Sequence, residues 1–317
     1  MIKLTKGEAM LDHNNIEKLF YAIDEIASLY SAKRQMNGIE GVATACNVIF
    51  AADQEDKEIR NIIESVKELK LGKEEIRKAF QLAVLKRLKQ EGRSNSFITP
   101  DTIGVLVSYL VERLAVVPEE PTIFDPLVGT GNLLASVVNN LDRKTTAIGC
   151  DIDKECGNLA MALMNMLGEK ANIILADTLS LEGVKADIIV TDFPFSDESE
   201  HDYFPYKVLE HHYDNLINDG YVVSVIPNDF FDITDTRDYR DSILAKYLAI
   251  GLIKLPDDLF KKLGKSILIL RKKTDAKKKN ENFLIAEIPS FADQDEFKKT
   301  LAHINDWFDR YIDRKDK

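Results

Sequence analysis

Apolar residues recur at helical spacing along the first ninety positions. Ile16, Leu19, Phe20, Ile23, Ile26 and Tyr30 make one stripe; Ile59, Ile62, Ile63 and Val66 make a second; Ile76, Phe80, Ala83 and Leu88 make a third. Residues 1–94 therefore read as a helical N-terminal domain that packs on, or binds something for, the rest of the chain. Glu91-Gly92-Arg93-Ser94-Asn95-Ser96 is a polar break. In the second domain, 95–317, the pattern changes. Thr99-Pro100-Asp101 caps a helix carrying Ile103, Leu106, Val107 and Leu110. β-prone runs then alternate with helices, at about 122–125, 146–150, 172–175, 186–191, 220–227 and 248–255. This predicts an α/β fold with a mostly parallel, doubly wound sheet. Two last apolar runs, Ile267–Leu270 and Asn282–Ile288, flank a basic segment and predict an antiparallel hairpin at the sheet edge. The tail from Phe291 reads as an amphipathic helix with Phe297, Leu301, Ile304, Trp307 and Phe308 on its apolar side.

The junctions of the α/β part carry the chemistry. Phe124-Asp125-Pro126-Leu127-Val128-Gly129-Thr130-Gly131 leaves a short strand, turns on two glycines and enters a helical run. Glycine there lets a backbone come close to a ligand. A dinucleotide fingerprint would need a third glycine at position 134, which is Leu134. The carboxylate and proline before the glycines suit a ligand with a cationic amino group, such as the methionine part of S-adenosylmethionine (SAM). Asp151 ends the second strand, twenty positions after Gly131, where a carboxylate can accept from both ribose hydroxyls. Asp177 ends the third, placed to take an adenine amino group, and Asp192 ends the fourth. Any one of these acids could be a helix N-cap. Polar groups at four consecutive strand ends mark the sheet edge where open α/β folds bind ligands.

Composition narrows the setting. The 317 residues, 45% hydrophobic and 30% charged, describe a globular chain. No apolar run is long enough to span a bilayer and the N-terminus shows no signal-peptide core, so a cytoplasmic location and no membrane partner are expected. Cys46, Cys150 and Cys156 lack metal-ligand spacing and read as reduced thiols; no metal site is expected. His211-His212 reads as the solvated surface of a helix. The net charge of −11 is uneven: residues 1–100 balance at +1 and the remainder carries −12. Any phosphate-binding surface must be local. Lys73–Arg93, with seven cations against three glutamates, and Arg271–Lys279, with six cations, are the candidates. For both, surface solubility is the plainer explanation.

Taken together, these residues resemble the N6-adenine DNA methyltransferases, most nearly the catalytic subunit of type I restriction–modification enzymes and its stand-alone relatives. Residues 125–134 are similar to the family's SAM motif. Phe97-Ile98-Thr99-Pro100-Asp101-Thr102-Ile103 is similar to its upstream Thr-Pro motif. Asp192-Phe193-Pro194-Phe195 stands where the family has Asn/Asp-Pro-Pro-aromatic. Ser224–Phe231 is similar to its end of strand five, and Leu255-Pro256 through Ser266–Lys273 to its C-terminal signature. The resemblance implies a class I, Rossmann-like SAM-dependent methyltransferase. Its cofactor residues would be Thr99, Asp125, Pro126, Gly129, Thr130, Gly131, Asn132, Leu133, Asp151, Ile152, Asp177 and Thr178. Its catalytic motif would be Asp192, Phe193, Pro194 and Phe195. It also implies DNA, or RNA, as a partner and a separate specificity subunit, since the tail after Pro289 is too short for a target-recognition domain. Phe193 replaces the family's first proline.

The chemistry suits that motif. The lone pair of an exocyclic amino group is delocalised into its ring. Two acceptors on its hydrogens favour a pyramidal nitrogen. Asp192 can supply one through its side chain and residue 193 the other through its carbonyl, while Phe195 offers a π-face to a flipped or single-stranded base. The same logic serves a glutamine amide, so a protein methyltransferase is an alternative. A SAM-binding interaction protein whose catalysis has lapsed is another, suggested by Phe193. The acidic stretch Ser196–Asp202 beside the motif would repel phosphate.

Overall fold

In the computed structural model, placement is described for residues 11–51, 56–94, 98–114, 118–141, 143–195, 203–231, 237–260, 263–274 and 283–313. The acidic stretch 196–202 and the segment 275–282 lie outside them. The helices are α1 (His13–Arg34), α2 (Gly38–Ala51), α3 (Lys57–Val66), α4 (Lys73–Gln90), α5 (Asp101–Arg113), α6 (Asn132–Asn140), α7 (Lys154–Leu167), α8 (Phe204–His211), α9 (Arg237–Lys246) and α10 (Gln294–Asp313). The strands are β1 (Thr122–Asp125), β2 (Thr146–Asp151), β3 (Ala171–Leu175), β4 (Ala186–Asp192), β5 (Leu216–Pro227), β6 (Tyr247–Lys254), β7 (Lys265–Lys272) and β8 (Leu284–Glu287). The sheet is mixed and runs β3-β2-β1-β4-β5-β7-β6-β8.

Compactness divides the chain into two units, differently from the composition shift near residue 94. One unit holds residues 3–108 with 127–177. There α1, α2 and α4 pack on one another, and α2 and α4 pack on α7. The apolar stripes supply the core: Leu19, Ile23, Ile26, Ile59, Ile63, Phe80 and Ala83 are buried. Asp12 and Asp56 cap α1 and α3. β2 and β3 pair in parallel, Ile148 opposite Asn172 and Asp151 opposite Leu175.

The second unit holds residues 109–126 and 178–317. β1 and β5 both pair with β4 in parallel, and β5 pairs antiparallel with β7. The antiparallel pairing predicted at the C-terminal end is present with different partners. β7 pairs with β6 and lies inside the sheet, while β8 lies at the edge, parallel to β6. Burial explains the order. Residues 265–270 of β7 are continuously buried, as an interior strand requires, whereas β8 leaves Ile285 71% exposed. β5 also begins at Leu216, four residues before the predicted start. Asp219 takes a left-handed conformation (φ 63°) inside it, so a turn-like Asn-Asp-Gly is absorbed as a strand irregularity. α10 turns Leu301, Ile304, Trp307 and Phe308 inward as predicted. Among the described residues, no helix is long and apolar enough to cross a membrane.

Candidate active site

The glycine turn lies in the first unit. Gly129 (φ 53°) and Gly131 (φ 81°) are both left-handed, which strains any side chain. A Cβ on Gly131 would also stand 3.0 Å from Ala160 of α7. Gly131 then caps α6, and the Gly129 N–H donates to Asp151 Oδ2 at 2.8 Å. Asp151 Oδ1 accepts the Asp153 N–H at 2.8 Å. Burial pushes the Asp151 carboxyl above its usual range, and its backbone N–H donors only partly offset it. Beside it Ile152 is 76% exposed. Asp177 is exposed and the Ala176 N–H donates to the Asp151 carbonyl, so Gly129, Asp151 and the end of β3 meet at one edge.

A network missed by periodicity steadies this turn. Arg77 of α4 is fully buried. Its Nη1 donates to Asn132 Oδ1 and to Asp101 Oδ1, both at 2.8 Å, and its other nitrogens bind Glu74. Asn132 Nδ2 donates in turn to the Thr99 carbonyl at 2.7 Å. Burial would raise the Asp101 carboxyl, but Arg77 and Lys78 outweigh it and hold it at about 2. Three sequence-predicted positions, Thr99, Asp101 and Asn132, are thus tied to the N-terminal helices by one guanidinium. Thr130 and Leu133 are buried behind the turn. The basic run Lys73–Arg93 is spent internally: Lys73, Arg77, Lys78, Lys86, Arg87 and Arg93 all pair with carboxylates.

The candidate catalytic motif, Asp192–Phe195, lies in the second unit. Asp125 ends β1, buried, and Pro126 follows it. Asp192 ends β4 opposite Val225 of β5. The Phe193 N–H extends the ladder by donating to the Val225 carbonyl at 2.9 Å, a bond proline could not make. The Phe193 ring is fully buried, 6.5 Å from the Phe230 ring, in a cluster with Tyr203 and Tyr206. Phe195 is 48% exposed and Pro194 is exposed. Lys265, at the start of β7, donates from Nζ to Asp192 Oδ1 at 2.6 Å and to the Phe193 carbonyl at 2.8 Å. The same ammonium is 4.8 Å from the centre of the Phe195 ring.

Two surface expectations need correcting. His212 is 1% exposed. Asn215 Nδ2 donates to its Nδ1 at 2.8 Å, which leaves Nε2–H to donate to Thr178 Oγ1 at 2.8 Å. Its ring packs edge-on against Phe124. Burial lowers its pKa to about 3, with His211 adding to the effect. The Thr178 hydroxyl is therefore engaged with His212. In the predicted solvated turn from Arg271, Arg271 pairs with Asp219 and Lys272 caps the Tyr213 and Leu216 carbonyls. The three cysteines are buried and form no disulfide.

Known proteins share this sequence pattern and this fold. The N-6 DNA methylase family model matches residues 81–317, and a model of the YtxK N-terminal helical domain matches residues 17–88. The protein YtxK of Bacillus subtilis (strain 168), itself uncharacterized, is 29% identical over 94% of this chain and 99% of its own. A crystal structure from Listeria monocytogenes, described as a candidate class I SAM-dependent methyltransferase, superposes with a TM-score of 0.83. It is 28% identical over 94% of this chain and all of that one. The methyltransferase subunit of a type I restriction–modification system from Streptococcus thermophilus shares the fold. Its TM-score is 0.56 and it is 17% identical over 86% of this chain and 68% of that one.

Proposed function

The chain belongs to the N-6 DNA methylase family, and from that premise we propose that it transfers a methyl group from SAM to the exocyclic N6 of adenine in DNA. One observation carries the proposal. Asp192 Oδ1 and the Phe193 carbonyl converge on a single nitrogen, at 2.6 and 2.8 Å, beside the face of Phe195. Two acceptors on one nitrogen are what an adenine amino group needs to become pyramidal and expose its lone pair. The carbonyl of Phe193 serves as well as that of a proline. An Asp accepts through an oxygen as an Asn does. Phe195, half exposed, is available for a base to stack on.

SAM fits the residues of the glycine turn. Gly129 and Gly131 keep the backbone bare. The Asp151 oxygens accept the Gly129 and Asp153 N–H groups, and a carboxylate has about four lone-pair sites, enough to accept ribose hydroxyls as well. Ile152 offers an exposed apolar surface for a purine, and Asp177 an exposed acceptor for its amino group. When bound, SAM supplies a methyl carbon made electrophilic by its sulfonium. The chain's contribution is positioning and hydrogen bonding: Asp192 and Phe193 hold the target nitrogen, and Phe195 holds its ring. We assign Asp125, Pro126, Thr130, Asn132 and Leu133 to the support of the same turn, and place RNA and a glutamine amide behind DNA as substrates. The specificity partner of type I methylases is proposed for this chain on family likeness alone.

The test is single-turnover methyl transfer from labelled SAM to adenine-containing DNA. Asp192→Ala is expected to lower the rate by about 100-fold or more while SAM affinity holds. Unchanged transfer by a folded Asp192→Ala chain refutes the assignment, and label appearing only in protein favours the glutamine reading.

A further inference from the structure

Lys265 sits in the place just given to the substrate. It is 8% exposed, and its ammonium has Asp192 Oδ1 and the Phe193 carbonyl as acceptors and the Phe195 ring as a cation–π face. An ammonium and an adenine amino group cannot hold the same two acceptors at once. We propose that Lys265 is a built-in competitor for the amino-group position, and that it makes the site selective for a substrate bringing a phosphodiester to take its ammonium. This rests on the adenine reading and adds a selection step to it.

A displaced ammonium that found no new anion would lose a carboxylate and a carbonyl for nothing. A neutral nucleoside or a glutamine amide offers it no anion, whereas the backbone of a nucleic-acid strand offers a charge-assisted bond. Lysine suits the movement, with a point charge on a flexible four-carbon stem; the rigid fork of arginine does not. A general field cannot do this work, because the chain carries a net charge of −11. Six cations of the Lys73–Arg93 run are already paired. Lys265, which blocks the motif, is the cation the structure places on the motif's own acceptors and ring, so it is the one a phosphate arriving there would draw.

The experiment uses the full chain with two probes, adenosine and a short single-stranded oligodeoxynucleotide containing adenine. The first readout is acylation of Lys265 by an amine-reactive reagent, followed by mass spectrometry. Lys265 should label slowly in the free protein, at least tenfold faster with saturating oligodeoxynucleotide, and no faster with adenosine. The second readout is single-turnover methyl transfer. The parent should modify the oligodeoxynucleotide and leave adenosine almost untouched, and Lys265→Met should raise transfer to adenosine tenfold or more. Lys265→Gln keeps a donor for Asp192 and serves if the methionine variant does not fold. Labelling unmoved by the oligodeoxynucleotide, or variants that gain nothing on adenosine while the parent methylates DNA, overturns the competitor and leaves the adenine reading standing. Labelling that responds while no chain methylates either probe overturns the adenine reading and keeps Lys265 as a cation that phosphate draws out.

Discussion

The two candidate turns, one in each unit, are held by opposite means. The glycine turn is fixed by polar crosslinks: Arg77 reaches Asn132, Asp101 and Glu74, and Asn132 reaches the Thr99 backbone. The turn proposed as catalytic is fixed by aromatic packing: Phe193 is sealed against Phe230 beside Tyr203 and Tyr206. A buried guanidinium specifies directions but leaves a costly charge if one partner goes. A buried ring tolerates rotation yet punishes any loss of volume. The first arrangement suits a turn whose backbone N–H groups must point correctly. The second suits a short peptide that needs only to project a carboxylate, a carbonyl and one exposed ring.

The largest effect should come from restoring the family's first proline. Phe193→Pro removes a fully buried ring and the N–H that donates to Val225. The ring alone is worth about 3–5 kcal/mol and the hydrogen bond about 1 kcal/mol more. A fall in thermal stability of this size is expected, together with a drop in methyl transfer. Activity that rises with unchanged melting would mean the ring is dispensable. Phe193→Leu, which keeps the N–H, separates the two contributions.

Arg77→Met should come next. It removes the shared donor of Glu74, Asp101 and Asn132; the two carboxylates are part-buried and keep Asn139 and Lys78, so the loss is about 2–3 kcal/mol. Because Asn132 comes directly after the glycine turn, SAM affinity should fall as well. Calorimetry should show the weakening in a chain that circular dichroism shows to be folded. Arg77→Lys, with one point charge for a fork, should rescue stability in part and affinity less. Equal rescue of both would make Arg77 a plain structural pair.

Legibility in the sequence divides along a related line, between local and distant partners. Gly129, Gly131, Asp151 and Asp192 were legible because turn chemistry and strand spacing are local. The buried stripes of α1, α3 and α4 were legible from their period. α2 gave no stripe because its interior is Ile39, Gly41, Val42, Ala43, Ala45 and Cys46, mostly small residues buried around much of the helix. Lys265, Arg77 and His212 were not legible as interior residues. Their types are ordinarily at the surface, and each has a partner far along the chain, 73, 55 and 34 positions away. The hairpin pattern puts β7 at the edge, although its unbroken run Ile267–Leu270 carries the interior signature that the structure bears out.

The smallest effect sharpens the polar half by pH. Burial raises the Asp151 carboxyl above the ordinary aspartate range, so it takes up a proton sooner than the unfolded chain as pH falls. Two consequences have opposite signs. Between the unfolded value, about 3.9, and the raised folded value, the native state binds more protons. Stability of the ligand-free chain therefore gains from this group as pH falls through that window. Over the same window a protonated Asp151 accepts less well from ribose hydroxyls, so SAM affinity should decline. Asp151→Asn should cost about 1.5–3 kcal/mol of SAM binding at neutral pH, the usual scale for a hydrogen bond to a charged partner, and should flatten the low-pH decline. Paired titrations of parent and variant by calorimetry check both. If the parent's affinity falls with acid and the asparagine variant's falls in parallel, another group governs the decline. The buried His212 works on stability in the opposite sense: held neutral down to about 3, it costs the fold stability as pH drops below about 6.5. Affinity must therefore be compared with melting measured at each pH. The Asp151 signature is the difference between parent and variant, which share His212.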